Sequence, residues 1–398
     1  MTKLYLKKGR EESLLRFHPW VFSGAVANIV GNPAEGDLVA VYSAEGEYLA
    51  SGHWQIGSIA VRILSFDADP SAPDFWTEAL RKALKARLAV GLDPESSLTN
   101  CFRLVHGEGD GLPGLIIDWY DGVCVMQAHS AGMFRCRKKI AEALKEVLGD
   151  SLLAVYDKSS GTAPFKAGLD LVDGYLYEAP GYEDGERSVL ENGHSFLVDW
   201  SHGQKTGFFL DQRENRALVG QHAGGRNVLN LFCYTGGFSV YALAGGALHV
   251  DSVDSSARAV ELADKNLALN GFLKEAYESH CCDAMDFLAA VPEGKYDLMI
   301  VDPPAFAKHR GALKNALRAY QRLNAAAISK VAPGGLVFTF SCSQVVGKED
   351  FALAVFSAAA QTGRRVRILD RLCQPADHAV NIYHPEGEYL KGLFLYVE

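Results

Sequence analysis

Two reactive side chains stand at matching places in two apolar segments. Tyr296-Asp-Leu-Met-Ile-Val-Asp-Pro-Pro304 reads as a buried strand ending in an acid, Asp302, and two prolines. Gly335-Leu-Val-Phe-Thr-Phe-Ser-Cys-Ser343 reads as a second buried strand ending in Cys342. The prolines fix the loop and remove backbone donors, so Asp302 is held rigidly at the strand end. A thiol placed this way suits a specific chemistry. C5 of a pyrimidine is a poor nucleophile. A thiolate that adds to C6 creates an enamine, and C5 can then take an electrophilic methyl group. Loss of the C5 proton and elimination free the sulfur. Thiolate is the reactive form, with an ordinary pKa of about 8.5 unless the site lowers it. Asp302 would hydrogen-bond the N3 edge of the base and help stabilise the adduct. The competing reading of Cys342 is a small buried thiol closing a strand, and the strand pattern alone leaves both open.

A cofactor site belongs beside such a pair. Asn227-Val-Leu-Asn-Leu-Phe-Cys-Tyr-Thr-Gly-Gly-Phe238 is an apolar strand running into a glycine turn and a helix. Ligands in doubly wound sheets bind at the carboxyl ends of the strands, near the switch in strand order. Gly236 and Gly237 would let backbone approach a ligand closely. An acid should end the next strand to bind ribose hydroxyls, and Asp254 does so about 20 residues on. Asp283, after a third strand, could accept a hydrogen bond from an adenine amino group. A nicotinamide dinucleotide is the rival cofactor, but its GxGxxG fingerprint is missing from this turn. Gly109-Asp-Gly-Leu-Pro-Gly114 matches that fingerprint literally, yet a hairpin strand follows it and Pro113 interrupts it, so it reads as a turn.

The elements around these residues divide the chain into three parts. Residues 1–70 read as short strands (Val26–Val30, Leu38–Tyr42, Tyr48–His53, Ile59–Leu64) forming a small β-barrel. Residues 71–200 mix strands and helices in a central α+β domain, with helices near Asp74–Val90 and Met133–Leu148. Residues 201–398 alternate strand and helix, which implies a doubly wound, mainly parallel α/β sheet. Its helices include Ser256–Asn270, Gly311–Lys330 and Lys348–Gln361.

Composition narrows the classes further. A net charge of −9 argues against indiscriminate nucleic-acid binding, but residues 201–398 carry 20 cations and 20 acids. Residues 303–348 hold no acid at all. Within them Arg310, Lys314, Arg318 and Arg322 recur every fourth residue, along one side of a helix. Such a stripe beside a reactive loop fits phosphate contact, whereas a merely soluble face would mix signs. A second basic cluster, Lys3, Lys7, Lys8, Arg10 and Arg16, reads equally as an RNA grip or a solvated terminus. The eight cysteines form no CxxC pair and the histidines show no ligand spacing, so no metal site is expected. No run is long and apolar enough for a membrane span or signal peptide, which makes a cytoplasmic location the default.

In this order these motifs resemble a known family, the bacterial large-subunit (23S) ribosomal RNA cytosine-5 methyltransferases that contain a PUA domain, the methyltransferase I group. The resemblance is carried by Gln204-Lys-Thr-Gly-Phe-Phe-Leu-Asp-Gln-Arg213, Asn230-Leu-Phe-Cys-Tyr-Thr-Gly-Gly-Phe238, Val253-Asp-Ser255, Asp302-Pro-Pro304 and Ser341-Cys-Ser343. Ala376-Asp-His-Ala-Val and Tyr383-His-Pro-Glu-Gly-Glu-Tyr-Leu-Lys-Gly392 extend it. His18-Pro-Trp-Val-Phe-Ser-Gly24 resembles the family's PUA domain, and Gly107-Glu-Gly-Asp-Gly-Leu-Pro-Gly114 its central domain. The resemblance implies a Rossmann-like methyltransferase domain using S-adenosylmethionine, ribosomal RNA as partner and Cys342 as nucleophile. It places the cofactor among Phe209, Asp211, Asn230, Phe232, Tyr234, Thr235, Gly236, Gly237, Asp254, Ser255, Asp283 and Asp302. Ala305 stands where relatives often carry Lys. The alternatives are methylation of a base nitrogen, which needs no Cys342, a non-catalytic RNA-binding assembly factor, and, more distantly, an NAD-dependent oxidoreductase. The oligomeric state stays open, a homodimer included.

Overall fold

The glycine-turn strand and the strands ending in Asp302 and Cys342 lie side by side in one seven-stranded sheet of the computed structural model, which describes residues 1–164 and 167–398. From one edge the strands are Tyr277–Cys281, His249–Asp254, Asn227–Leu231, Tyr296–Val301, Val331–Ser341, Lys391–Val397 and Val366–Leu372. The first five pair in parallel, with Leu231 opposite both Val253 and Val301, and Val301 opposite Thr339. Their carboxyl ends therefore share one edge. Strand order reverses between Asn227–Leu231 and Tyr296–Val301, which makes that point the crevice where ligands bind. Strands buried on both faces need continuous apolar runs, and Leu298, Met299, Ile300 and Val301 are all fully buried.

Of the last two strands, Lys391–Val397 runs antiparallel to both of its neighbours, so Val366–Leu372 runs parallel with the first five. The strand–helix rhythm did not announce them, because no helix separates them. Val366–Leu372 is largely exposed.

Helices cover both faces. Leu313–Lys330 buries Ala316, Tyr320, Leu323, Asn324, Ala327 and Ile328, a helical stripe facing the core. Ala257–Leu269 is capped by Ser256, which accepts from the Ala259 amide, and Ala284–Ala290 by Asp283.

The chain falls into two compact units. One comprises Met1–Leu190, Val198–Leu210 and Ala376–Gly387; the other comprises Glu191–Leu197, Asp211–Pro375 and Glu388–Glu398. The first unit holds a six-stranded sheet between Thr2 and Ser65, with Leu4, Leu6, Val39, Val41, Val61 and Ile63 in its core. It also holds a five-stranded sheet between Cys101 and Glu178, flanked by the helices Phe75–Ala89 and Ala131–Leu148. Gly107–Asp110 is a single 3₁₀ turn followed by Gly111 and Gly114, both at positive φ, and then the strand Leu115–Tyr120. It is a turn and not a dinucleotide loop. Among the described residues no helix is long and apolar enough to cross a membrane.

Candidate active site

After Leu231 the chain turns through three left-handed residues, Phe232 (φ 60°), Tyr234 (φ 45°) and Gly236 (φ 75°). Two of these carry side chains, and such conformations cost of order 1–3 kcal/mol each unless the surroundings enforce them. Here they do. The Cys233 amide donates to the Val253 carbonyl at 3.0 Å, and the Gly236 amide to the Cys233 carbonyl at 2.8 Å. The Asp254 carboxylate accepts the Tyr234 amide at 3.0 Å and the Ser256 amide at 2.9 Å. Asp254 thus braces the turn as well as ending its own strand.

The two glycines also answer a packing demand. A Cβ on Gly236 would lie 2.9 Å from the Ala263 side chain, and one on Gly237 would lie 3.0 Å from Arg216. They admit neighbouring protein, so the turn packs tightly on its own helices. Arg216 is itself locked by a buried two-point pair with Glu191, at 2.8 and 2.7 Å. Asn230 is fully buried and donates to Ser239 at 2.8 Å, and Ser239 in turn contacts Ser252 at 2.7 Å. Its side chain supports the turn from within the sheet. Thr235 is buried, and its carbonyl accepts from Asn266 at 2.8 Å.

Asp302 and Cys342 follow neighbouring paired strands, and both side chains are partly accessible. The Gln212 amide donates to Asp302 at 3.0 Å, while Asn215 donates to the Gln212 carbonyl oxygen at 2.6 Å. That relay fixes which end of the Gln212 amide faces the acid. Asp211 is buried and accepts from the Tyr389 hydroxyl at 2.7 Å. Tyr320 ties the two reactive loops together. Its hydroxyl accepts from Ser341 at 2.9 Å, and its ionisation is pushed up to about 12, first by burial, with Cys342 and Asp302 both adding to the shift. The phenol therefore stays protonated within electrostatic reach of both groups.

Lys391 lies opposite Ser341 in the paired strands. Its buried ammonium donates to the carbonyls of Ser343 and Val346, the latter at 2.6 Å, and so clamps the loop that carries Cys342. Burial lowers its pKa to about 8, while the nearby Cys342 works in the opposite direction. The loop that carries Cys342 is thus held against a buried ammonium. Cys233 has the opposite setting: buried, with burial and then Asp254 pushing its thiol upward.

The other expected residues take varied places. Phe232 is half-buried against the core, Ser255 is exposed, and Asp283 is exposed while one of its oxygens caps the helix Ala284–Ala290. Phe209 belongs to the other unit, where the Lys205 ammonium lies 4.4 Å from its ring centre. Lys314, Arg318 and Arg322 are exposed on the side of their helix away from its buried stripe. Arg310 sits one turn earlier, in the 3₁₀ segment Arg310–Ala312, so the helix begins at Leu313 and not at Gly311. Gln212, Tyr320 and Lys391 were not singled out by type or spacing. Gln212 and Lys391 carry a signal, since each lies in a segment that bears the family resemblance, and Tyr320 carries none.

The edge thus presents acids after the strands ending near Asp254, Asp283 and Asp302. Carboxylates of this kind accept from ribose hydroxyls, an adenine amino group and an amino-acid ammonium, so this set of acceptors fits a nucleoside carrying an amino-acid tail.

Comparisons with known proteins agree with this geometry. Residues 102–383 match the model of the S-adenosylmethionine-dependent methyltransferase family, and residues 4–66 match a PUA-like domain. The ribosomal RNA large subunit methyltransferase I of Aeromonas hydrophila is 40% identical over 398 residues, covering 98% of each chain. That of Shewanella amazonensis is 40% identical over 396 residues, with the same coverage. A crystal structure of a protein proposed to be a methyltransferase, in complex with SAH, superposes over 100% of both chains at a TM-score of 0.84 and 24% identity, a likeness of fold.

Proposed function

Because the chain belongs to the ribosomal RNA large subunit methyltransferase I family, and with it to the S-adenosylmethionine-dependent methyltransferases, we propose that it methylates C5 of a cytosine in large-subunit ribosomal RNA through an adduct on Cys342. The observation that carries this reading is the placement of Cys342 and Asp302 after paired parallel strands, next to the switch point. S-adenosylmethionine supplies an electrophilic methyl group on a sulfonium, held by the turn Phe232–Gly237 with Asp254, Asp283 and Asp302 as acceptors. The Cys342 sulfur bonds to C6 of the base, and the electron pair moves to C5. Asp302, aligned by Gln212, accepts from the base's amino edge and holds the ring in register. Once C5 is methylated its proton leaves to a base, the C6–sulfur bond breaks, and the thiolate returns. Tyr320 stays within reach of both loops while this happens, and Lys391 clamps the one that carries Cys342.

The division into residues 1–70, 71–200 and 201–398 as RNA-binding, central and catalytic domains is part of the same proposal. The direct test is mass spectrometry of ribosomal RNA nucleosides from cells lacking the protein. One 5-methylcytosine of the large subunit should disappear. Loss of an N-methylated base instead would keep the cofactor site and remove the role of Cys342.

Two results bear on binding. Asp254→Ala should weaken S-adenosylmethionine by about 1–3 kcal/mol, the scale of a lost buried hydrogen bond. The loss combines ribose contact with the brace on the Tyr234 amide, and calorimetry measures it. An unchanged affinity would take Asp254 out of the site. Replacing Arg318 and Arg322 together with Ala should weaken RNA and lower the slope of log affinity against log salt by about 2. Cofactor affinity should stay as it was. Unaltered RNA binding in filter assays would return this face to solvent.

A further inference from the structure

Histidines from the two ends of the chain meet inside the N-terminal unit. His384 is only 3% exposed, and among the described residues neither of its ring nitrogens has a hydrogen-bond partner. A buried polar atom left this way loses its hydration with nothing in exchange. Its ring stands 4.2 Å from Trp20 and 5.6 Å from His18, centre to centre. His384 Nε2 lies 3.8 Å from the carboxylate of Glu386. One ligand-capable atom from each of His18, His384 and Glu386 falls within 4.8 Å of the other two.

The surroundings orient the group. His18 Nδ1 lies 3.2 Å from both the amide and the carbonyl of Trp20, so the Trp20 backbone holds the ring by this nitrogen in either tautomer. A contact of this kind at one ring nitrogen fixes the direction in which the other points. A proline follows each histidine, Pro19 and Pro385, and restricts the backbone of the residue before it. The nearby charges Arg62 and Glu108 neutralise each other at 2.7 Å, and the Trp20 indole also donates to Glu108 at 2.9 Å. Glu108 is thus engaged by Arg62 and Trp20, and Glu386 is the acid grouped with both histidines at ligand distance.

We propose that His18, His384 and Glu386 form a binding site for a divalent transition-metal ion, with zinc as the representative. Two imidazole nitrogens and one carboxylate oxygen, with a water completing a tetrahedron, are a zinc ligand set. Bond lengths of about 2.0–2.2 Å place tetrahedral ligands roughly 3.3–3.5 Å apart. The 3.8 Å between His384 and Glu386 closes to that by a small turn of Glu386, whose side chain is 62% exposed. The ion would tie the Tyr383-His-Pro-Glu segment to the His-Pro-Trp segment and stabilise the folded unit by binding it preferentially. Sequence spacing could not show the site, since its ligands come from the two termini.

The test uses the full chain with Cys281→Ser and Cys373→Ser, because those exposed thiols would take zinc themselves. Calorimetry with zinc chloride should give one ion per chain at micromolar affinity, and cobalt(II) should show the visible absorption of tetrahedral coordination without thiolate charge transfer. His384→Phe should weaken zinc by more than about 100-fold, beyond the losses typical of outer contacts, and zinc should no longer raise the unfolding temperature. Glu386 is exposed, so Glu386→Gln tests the same site even if His384→Phe does not fold. Failure of the parent to take zinc at micromolar concentration, or unchanged zinc affinity in either variant, overturns the site.

Discussion

Cys342→Ala abolishes methyl transfer and leaves S-adenosylmethionine affinity unchanged. The adduct mechanism needs a bond between this sulfur and C6 of the base, and no neighbouring group can replace it. Cys233 is buried and its ionisation is opposed by burial and by Asp254, so Cys233→Ala keeps substantial activity. Its loss costs packing only, a matter of stability. Ribosomal RNA carrying 5-fluorocytosine at the target traps the wild-type enzyme, because fluorine at C5 cannot leave as a proton does. The trapped complex survives denaturing electrophoresis and is missing for Cys342→Ala. An active Cys342→Ala enzyme would leave the fold and the cofactor site standing and remove the covalent mechanism. Lys391 sharpens the comparison. It clamps the loop after Cys342 through two carbonyls without being part of the reaction.

What the sequence made legible follows from how parallel sheets are built. Strands covered on both faces read as unbroken apolar runs, so Leu298–Val301 and Leu336–Phe340 stood out, and with them the residues that end each run. Their adjacency followed from doubly wound topology, and the paired register bears it out. The glycine turn was legible in position, but one reason for it was not: Gly236 and Gly237 yield to Ala263 and Arg216, a contact between segments that no local pattern encodes. Gln212, Tyr320 and Lys391 escaped notice for the same cause. Each acts by reaching a partner far along the chain, and a lone Gln, Tyr or Lys in an ordinary element carries no mark of that. The strand Lys391–Val397 was hidden because an antiparallel return needs no crossover helix, and Val366–Leu372 because it is largely exposed and shows no apolar run. His18 and His384 show the limit most plainly, as spacing rules see only neighbours.

Asp302→Asn should lower the turnover rate by about 10²–10³, the usual loss when a preorganised electrostatic partner is removed. The substitution keeps the side chain's shape and one carbonyl oxygen, which can still accept the Gln212 amide that Asp302 accepts at 3.0 Å. The loop should therefore hold its course between Pro303 and Tyr320, and the change is chiefly one of charge. Two roles then separate kinetically. If Asp302 served the cofactor alone, the Michaelis constant for S-adenosylmethionine would rise and the turnover rate would recover at saturation. If it holds the base during attack, the turnover rate falls at any cofactor concentration, and trapping on 5-fluorocytosine RNA slows by the same factor in a single turnover. Gln212→Leu should reproduce part of that loss, since it leaves the carboxylate in place but unaligned. A turnover rate for Asp302→Asn within a few-fold of wild type would remove Asp302 from the chemical step and leave Cys342 to act with backbone support alone.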